Sequence, residues 1–314
     1  MEGFPLVSIC MSSYNNAHYV VETLNSFTAQ TYPNLEIVVV DDCSKDDSVA
    51  VIRNWLAGCS IPHHLVQHEQ NRGVCRVANS LIEHASGKYV SIIASDDVLH
   101  PEKISSQVAL LEKAGPGHAM AYSNVWRMSD EGVRLPEDYF TYYGTQPVDG
   151  AFLLPLLKGN FIPGMSALIR RDVFAEVGPF DESLSFEDWD MWLRIARQYN
   201  IIYSPQFAGS YRVHSRSLWR NRNLRMYQDI IKLLAKHQGV SEAADQIIRE
   251  QMISNAEIIY QLGDHRSSQP WLRLKWQHQG GLNALVLWLG STLGIPFRTF
   301  TGLKGAARRL GLVK

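Results

Sequence analysis

The stretch Glu36-Ile37-Val38-Val39-Val40-Asp41-Asp42 sets the reading of this chain. A short β-branched run bounded by polar residues predicts a buried strand. The two carboxylates that follow it cannot both point into a core. The same device returns at Tyr89–Ala94, which is followed by Ser95-Asp96-Asp97. Other strands are predicted at Leu6–Met11, His63–Gln67 and His118–Ser123. Helices are predicted between them at Asn16–Gln30, Lys45–Ala57, Gly73–Ala85 and Pro101–Lys113. Ser44 suits the N-cap of the second helix, with Asp46 and Asp47 in its first turn. This order predicts an α/β fold with a largely parallel sheet flanked by helices. Such sheets bind ligands at the carboxyl ends of their strands, so the residues just after each strand carry the functional argument.

Farther along, residues from Val125 to Pro147 look irregular, as a lid, an acceptor loop or a surface hairpin would. Regular signals resume at Asp149–Lys158 and Ser166–Ile169, with a helix at Asp188–Gln198 and strands at Ile201–Ser204 and Gly209–Val213. From Ser217 the pattern is mostly helical, which predicts a C-terminal helical extension. There Leu282, Leu285, Trp288 and Leu289 suggest an apolar helix face. The tail after Phe297 holds Arg298, Lys304, Arg308, Arg309 and Lys314 and no acid. This combination suits an anionic membrane surface, or packing on the catalytic domain or a second subunit. The uncharged stretch Gln279–Phe297 reaches spanning length only by including Gln279, Asn283, Ser291 and several glycines, so it is a poor membrane span.

Composition narrows the classes. The chain has 314 residues and a formal net charge of −1, so no nucleic-acid partner is implied globally. Cys10, Cys43, Cys59 and Cys75 lack metal or redox spacing, which fits a reduced, cytoplasmic compartment. No Lys or Arg precedes Lys45, so no secretory signal is predicted. Ser12-Ser13-Tyr14-Asn15 follows the first strand where a dinucleotide fold has its glycines, and no GxxxxGK[ST] motif occurs.

Four constellations could carry chemistry. Asp41–Asp42 could accept hydrogen bonds from a base or ribose, or form an acidic turn. Asp96–Asp97 offers the oxygen ligands that Mg²⁺ and Mn²⁺ prefer, or a second acidic turn. Glu187–Asp188 opens an amphipathic helix as a cap, or supplies a general base. Asp190 and Arg194 are spaced to pair on that helix surface. Lastly, Met191–Gln228 holds seven arginines (Arg194, Arg197, Arg212, Arg216, Arg220, Arg222 and Arg225) and no acid. That run suits an anionic leaving group or a solvated basic face. His214 lies among them, as a metal ligand or a structural residue. The glycines of Gly159–Ser166 permit close backbone approach to a ligand, or merely form a loop.

In order along the chain, these pieces resemble the family 2 glycosyltransferases of GT-A fold, whose sheet is mixed and mainly parallel. The resemblance runs from about Leu6 to about Ser217. It rests on Val7–Asn15, Gln30–Ser44, Asn71-Arg72-Gly73, Ser95-Asp96-Asp97, Glu187-Asp188 and Tyr211-Arg212-Val213-His214. Cys43 stands where the family usually has Gly, and Ser95 at the first position of its DxD-type motif. The resemblance implies a catalytic domain at 1–220 and an extension at 221–314. It implies that Ser12, Tyr14, Asp42, Arg72 and Asp96 bind the nucleotide, with Asp42 on the uracil N–H, Asp96 on ribose and Arg72 near base or diphosphate. Asp97, with His214, would hold Mg²⁺ or Mn²⁺. Asp188 would be the base of an inverting transfer, with Gly164, Met165 and Glu187 near the donor sugar or acceptor. The implied partners are a UDP-sugar and a glycan or lipid-linked acceptor, with peripheral contact on the inner membrane face or homo-oligomerisation left to the extension. The alternatives are a non-catalytic sugar-nucleotide-binding protein and a nucleotidyltransferase on a related fold.

Overall fold

The computed structural model describes residues 3–148, 150–215 and 223–299. The chain forms two compact units, Met1–Ser217 and Leu218–Lys314. The strands of the first are β1 Val7–Ser13, β2 Leu35–Asp41, β3 His63–Gln67, β4 Tyr89–Ala94, β5 Val98–Leu99, β6 His118–Ser123, β7 Trp126–Met128, β8 Leu168–Arg170, β9 Asn200–Ser204 and β10 Gly209–Arg212. Its helices are α1 Val20–Thr28, α2 Ser48–Ala57, α3 Val74–His84, α4 Lys103–Ala114, α5 Tyr139–Tyr143, α6 Leu153–Lys158, α7 Val173–Val177 and α8 Asp188–Ala196. The second unit holds α9 Leu224–Ala235, α10 Glu242–Gln261, α11 His265–Gln279 and α12 Gly281–Thr292.

Seven strands form one sheet in the order β3-β2-β1-β4-β8-β6-β9, and β5, β10 and β7 form a smaller one. β1 pairs in parallel with β2 and β4, β2 with β3, and β6 with β9. Only β8 runs antiparallel to its neighbours in the large sheet, so the sheet is mixed and mainly parallel, as expected. Strand order reverses at β1. In register, Ser13 lies beside Asp41 and Ser12 beside Ala94. Residues 12–15, 41–42 and 95–97 therefore share one edge, at the switch point where such sheets take ligands.

Burial on both faces explains the near-continuous apolar strands. Val7, Ile9 and Met11 pack with Ile37, Val39, Leu24, Phe27, Ile104 and Leu111. Cys10, Val38, Val40 and Val90 face the other way, onto Val77 and Leu81 of α3. Each fully buried Val, Leu, Ile or Phe contributes roughly 1.5–3 kcal/mol.

Several local expectations are corrected. Helix α2 starts at Ser48, so Asp46 and Asp47 precede it. Asp46 accepts from the N–H groups of Ser48 (3.0 Å) and Ala17 (3.1 Å) and turns the chain before the helix. Ser44 is not the N-cap. Its hydroxyl donates to Asp41 (2.6 Å) and accepts from the Asn15 N–H (2.8 Å). The region 125–147 is partly regular: it holds β7, a bridge from Met128 to Arg134, and α5. Aromatic packing organises it rather than sequence periodicity. Trp126 stacks on Phe207 at 3.8 Å, and Asp138 caps α5 through the Thr141 N–H (2.8 Å). Asp190 and Arg194 do pair (2.9 Å), but the Asp190 carboxylate is buried and not on a helix surface.

In the second unit Tyr260, Leu272 and Leu287 form a core with Trp288 and Phe297 against it. Trp276 and Trp288 stack at 4.7 Å. On α12, Leu287 and Trp288 face this core and Ala284 is buried, so the suggested apolar face is divided: Trp288 is packed, whereas Leu282 is 76% exposed and Leu289 41%. Among the described residues no helix is long and apolar enough to cross a membrane. Lys304, Arg308, Arg309 and Lys314 lie outside the described residues.

Candidate active site

The first cluster lies where β1 and β2 end. Asp41 is buried and takes the Ser13 hydroxyl (3.0 Å) and the Ser44 N–H (2.8 Å), tying two loops together. Asp42 accepts from His68 Nδ1 (2.8 Å), Arg72 N–H (2.8 Å) and Gly73 N–H (2.9 Å). Three of its roughly four acceptor positions are occupied, which leaves one on Oδ2. Gly73 has φ +86°, a conformation that only glycine adopts without strain. His68 escaped the sequence reading. Its other nitrogen meets the Ser80 hydroxyl at 3.1 Å, which fixes the ring. Tyr14 is 46% exposed beside this loop, Ser12 is half-buried, and the Arg72 side chain is exposed. Cys43 has φ +65°, in the region that favours glycine. Glycine, which the resemblance puts at this position, would adopt that conformation without strain.

The second cluster follows β4. Asp97 is buried and accepts from the Arg212 N–H at 2.9 Å, while Asp96 lies 2.7 Å from His214 Nε2. Ser95 is buried and takes the Asn16 amide at 3.0 Å. Arg212 does not face a leaving group. Its guanidinium is buried, donates to the carbonyls of Asp96 (2.8 Å) and Asp130 (2.9 Å), and pairs with Glu22. It also lies over the Tyr19 ring at 4.8 Å, and Tyr19 stacks on His214. The leaving-group reading of the arginine run therefore fails for Arg212. It fails for Arg194 as well, which holds Asp190 and the Val177 and Gly178 carbonyls. Arg225 pairs with Asp229 and Arg197 is exposed. Arg216, Arg220 and Arg222 lie outside the described residues.

The third cluster opens α8. Asp188 accepts from the Asn160 amide (2.8 Å) and the Trp189 N–H (2.6 Å). Glu187 makes no capping hydrogen bond. A side chain at Gly164 would begin 3.6 Å from Asp188 Oδ2, so glycine keeps the approach to this carboxylate open. Burial pushes Asp188 up to about 6 against the help of its two donors. Burial, and then the Asp188 charge, pushes Glu187 up to about 8. The pair is thus split, with one carboxylate ionised near neutrality and one protonated, the pattern of acid–base sites.

The second and third clusters meet around β10. Ser210 pairs with Val98, next to Asp97. Gly209 admits Met165: a methyl group there would lie 2.9 Å from Met165 Cε and 2.1 Å from the Val98 carbonyl oxygen. Met165 adjoins Gly164, which faces Asp188. Between them, the Tyr211 hydroxyl is raised by burial first and then by Asp97, Tyr143, Asp96 and Asp188. The charges of Asp96, Asp97 and Asp188 therefore all act on one tyrosine hydroxyl, although Asp188 lies far from the other two in sequence.

The divalent cation implied by the resemblance fits these groups. Asp97 is pushed well above the usual carboxylate range by burial and then by the Asp96 charge, against Arg212. A cation beside it would relieve that cost. Among the described residues no three His, Cys, Asp or Glu side chains form a ready-made ion cage. Substrate phosphates would have to complete the coordination, as Mg²⁺ commonly requires.

Comparison with known proteins agrees with the geometry. An uncharacterised glycosyltransferase of Rickettsia felis is 35% identical over 214 residues, covering 67% of this chain but only 35% of that protein. The chain thus spans about a third of that relative's length. A putative teichuronic acid biosynthesis glycosyltransferase of Bacillus subtilis, TuaG, is 26% identical, covering 69% of this chain and 83% of the relative. The fold matches the mannosyltransferase PcManGT of Pyrobaculum calidifontis in complex with GDP-Man and Mn²⁺ (TM-score 0.61, 21% identity, 97% of this chain and 85% of that one). It also matches S. aureus TarS 1–349 in complex with UDP-GlcNAc (TM-score 0.63, 18% identity, 92% of each). The family model "Glycosyl transferase family 2" matches residues 8–178, more than half of the chain. With the split carboxylate pair and the acidic sheet edge in place, this match settles the family: the chain belongs to glycosyl transferase family 2.

Proposed function

We propose that this chain is an inverting glycosyltransferase that moves a sugar from a nucleoside diphosphate, UDP in our reading, to an acceptor hydroxyl. The catalytic domain is residues 1–220 and the helical extension 221–314. One observation carries the reading: a carboxylate held at 2.8 Å by Asn160 and left approachable by Gly164, its charge acting on the same tyrosine hydroxyl as those of Asp96 and Asp97. The nucleotide would lie along the switch-point edge, against Ser12, Tyr14, Asp42, Arg72 and Asp96.

Asp188 Oδ2 takes the acceptor proton as the acceptor oxygen bonds to the anomeric carbon. The bond from that carbon to the diphosphate breaks, and the nucleoside diphosphate leaves with the electron pair. A Mg²⁺ or Mn²⁺ held by Asp97, with His214 beside Asp96, would offset charge on the departing diphosphate. Gly164 and Met165 shape the space between the two carboxylate clusters. A protonated Glu187 keeps a second negative charge away from the base. Neither a non-catalytic binder nor a nucleotidyltransferase has a use for a base poised in this way.

Thermal shift tests the donor assignment. UDP with Mn²⁺ should stabilise the protein by about 2.7 kcal/mol at a hundredfold excess over Kd, with little shift from GDP, TDP or UDP plus chelator. Stabilisation by none of these would sink the transferase reading.

The teichuronic acid relative supports a role in surface-polysaccharide synthesis. For the extension, the reading is peripheral contact with the inner membrane face. Leu282, Leu289 and Leu293 are exposed on and just after α12, and no acid follows Asp264. Deleting residues 281–314 would strip Leu287 and Trp288 from their core, so substitution is the sounder test. The triple change Leu282→Glu, Leu289→Glu and Leu293→Glu should weaken co-sedimentation with phosphatidylglycerol vesicles by about tenfold or more. Unchanged sedimentation would instead leave this face to a second subunit.

A further inference from the structure

Helix α5 reads Tyr139-Phe140-Thr141-Tyr142-Tyr143, and its four aromatic side chains are not used alike. Phe140 is buried against Tyr122 and Tyr203 and anchors the turn. Tyr139 lies 4.5 Å from Tyr143 and 6.1 Å from Tyr211, whose neighbour Arg212 donates its N–H to Asp97. Tyr142 meets Tyr143 at 4.9 Å and 89°. The buried Arg127 guanidinium lies 3.4 Å over the Tyr142 ring. Tyr142 nevertheless stays 51% exposed and Tyr143 36%. The Asp138 cap and the left-handed Gly144 (φ +63°) fix both ends of the turn. The fold thus holds two tyrosines rigidly with their rings at the surface, continuous with the site through Tyr139 and Tyr211.

The chemistry of that surface selects its occupant. Aromatic faces carry negative quadrupole charge and attract positively polarised edges, and the axial C–H groups of a pyranose present such an edge. Tyrosine adds large, stiff contact area with few rotamers to fix, and its hydroxyl reaches sugar hydroxyls. An acyl chain would call for aliphatic side chains, which α5 does not offer. We propose that Tyr142 and Tyr143 form the platform for a pyranose unit of the acceptor, so that the acceptor is a saccharide end and not a protein side chain or a bare lipid alcohol. This rests on the transferase reading above and names its acceptor class.

Saturation-transfer NMR on the full chain tests it, with UDP, Mn²⁺ and a panel of methyl glucopyranoside, galactopyranoside, mannopyranoside and N-acetylglucosaminide. At least one glycoside should receive saturation at its ring protons. That signal should fall at least threefold in Tyr142→Ala and Tyr143→Ala and persist in Tyr143→Phe. UDP signals should be equal in the unsubstituted chain, the three single variants and the Tyr142→Ala/Tyr143→Ala double variant. The proposal is overturned if no glycoside is saturated by the unsubstituted chain, or if the signal survives in the double alanine variant. Loss of the UDP signal from the unsubstituted chain would instead count against the transferase reading, because the glycoside signals are scored separately.

Discussion

Replacing Asp188 with Asn should lower sugar transfer by about 10²–10⁴-fold, the usual contribution of a positioned general base, while UDP affinity should stay within twofold. The asymmetry follows from placement. Asp188 opens α8 and is held by Asn160 and Trp189, whereas the residues assigned to the nucleotide lie at the ends of β1, β2 and β4 and in the loop between β3 and α3. The pH profile adds an independent check. Asp188 must be ionised to take a proton, and burial raises it to about 6. Transfer by the unsubstituted chain should therefore climb as pH rises through about 6, and the variant should lack that limb. Stability moves in the opposite sense. A raised carboxyl supports folding fully below its ordinary 3.8, and that support is lost as pH rises through about 6. Asp188→Asn should therefore melt higher than the unsubstituted chain at pH 7.5 and equal to it near pH 3.5. Glu187, relieved of the neighbouring charge, should titrate below its present value of about 8. If the variant instead melts lower and loses UDP binding along with activity, Asp188 is a helix cap and no base.

Asp97→Asn is expected to reduce transfer by about 10²–10³-fold, the scale of losing one preorganised stabiliser of the leaving charge. The Asn side-chain oxygen can still accept from the Arg212 N–H, which now reaches Asp97 at 2.9 Å, so β10 should stay in register. The charge that would hold the cation is gone. Differential calorimetry should show that UDP no longer stabilises more with Mn²⁺ than without it. Without nucleotide the variant should be at least as stable at pH 7.5, because burial and the Asp96 charge already disfavour an ionised Asp97. Full Mn²⁺-dependent stabilisation in Asp97→Asn would take the metal away from this residue.

The fold was legible because burial leaves a simple mark. Strands covered on both faces are largely apolar, and 36–40, 89–94 and 118–123 show that mark, whereas the edge strand at 63–67 is largely exposed and carries it only in Leu65 and Val66. The acidic residues after β2 and β4 were legible for the complementary reason, since charge gathers where a strand leaves the core. Less of the site's wiring could be read. His68 gives no sequence signal that separates it from the other histidines, yet it orients Asp42 from 26 residues away. Arg212 looked like a phosphate ligand among many arginines. Its guanidinium is buried, and its partners, Glu22, Asp96 and Asp130, come from three separate segments.

What the amino-acid order determined by itself was local: which runs are strands and helices, and which acids stand at their ends. Nearest neighbours and hydrophobic period suffice for that. Only the tertiary structure decided which distant segments pack beside those acids. Gly209 is small enough for both β5, which follows Asp97, and Met165 to approach β10, and the adjoining Gly164 faces Asp188, which links the segments that carry the two acids. Close packing between distant segments has no period along the chain, so it becomes visible only once the sheet has closed.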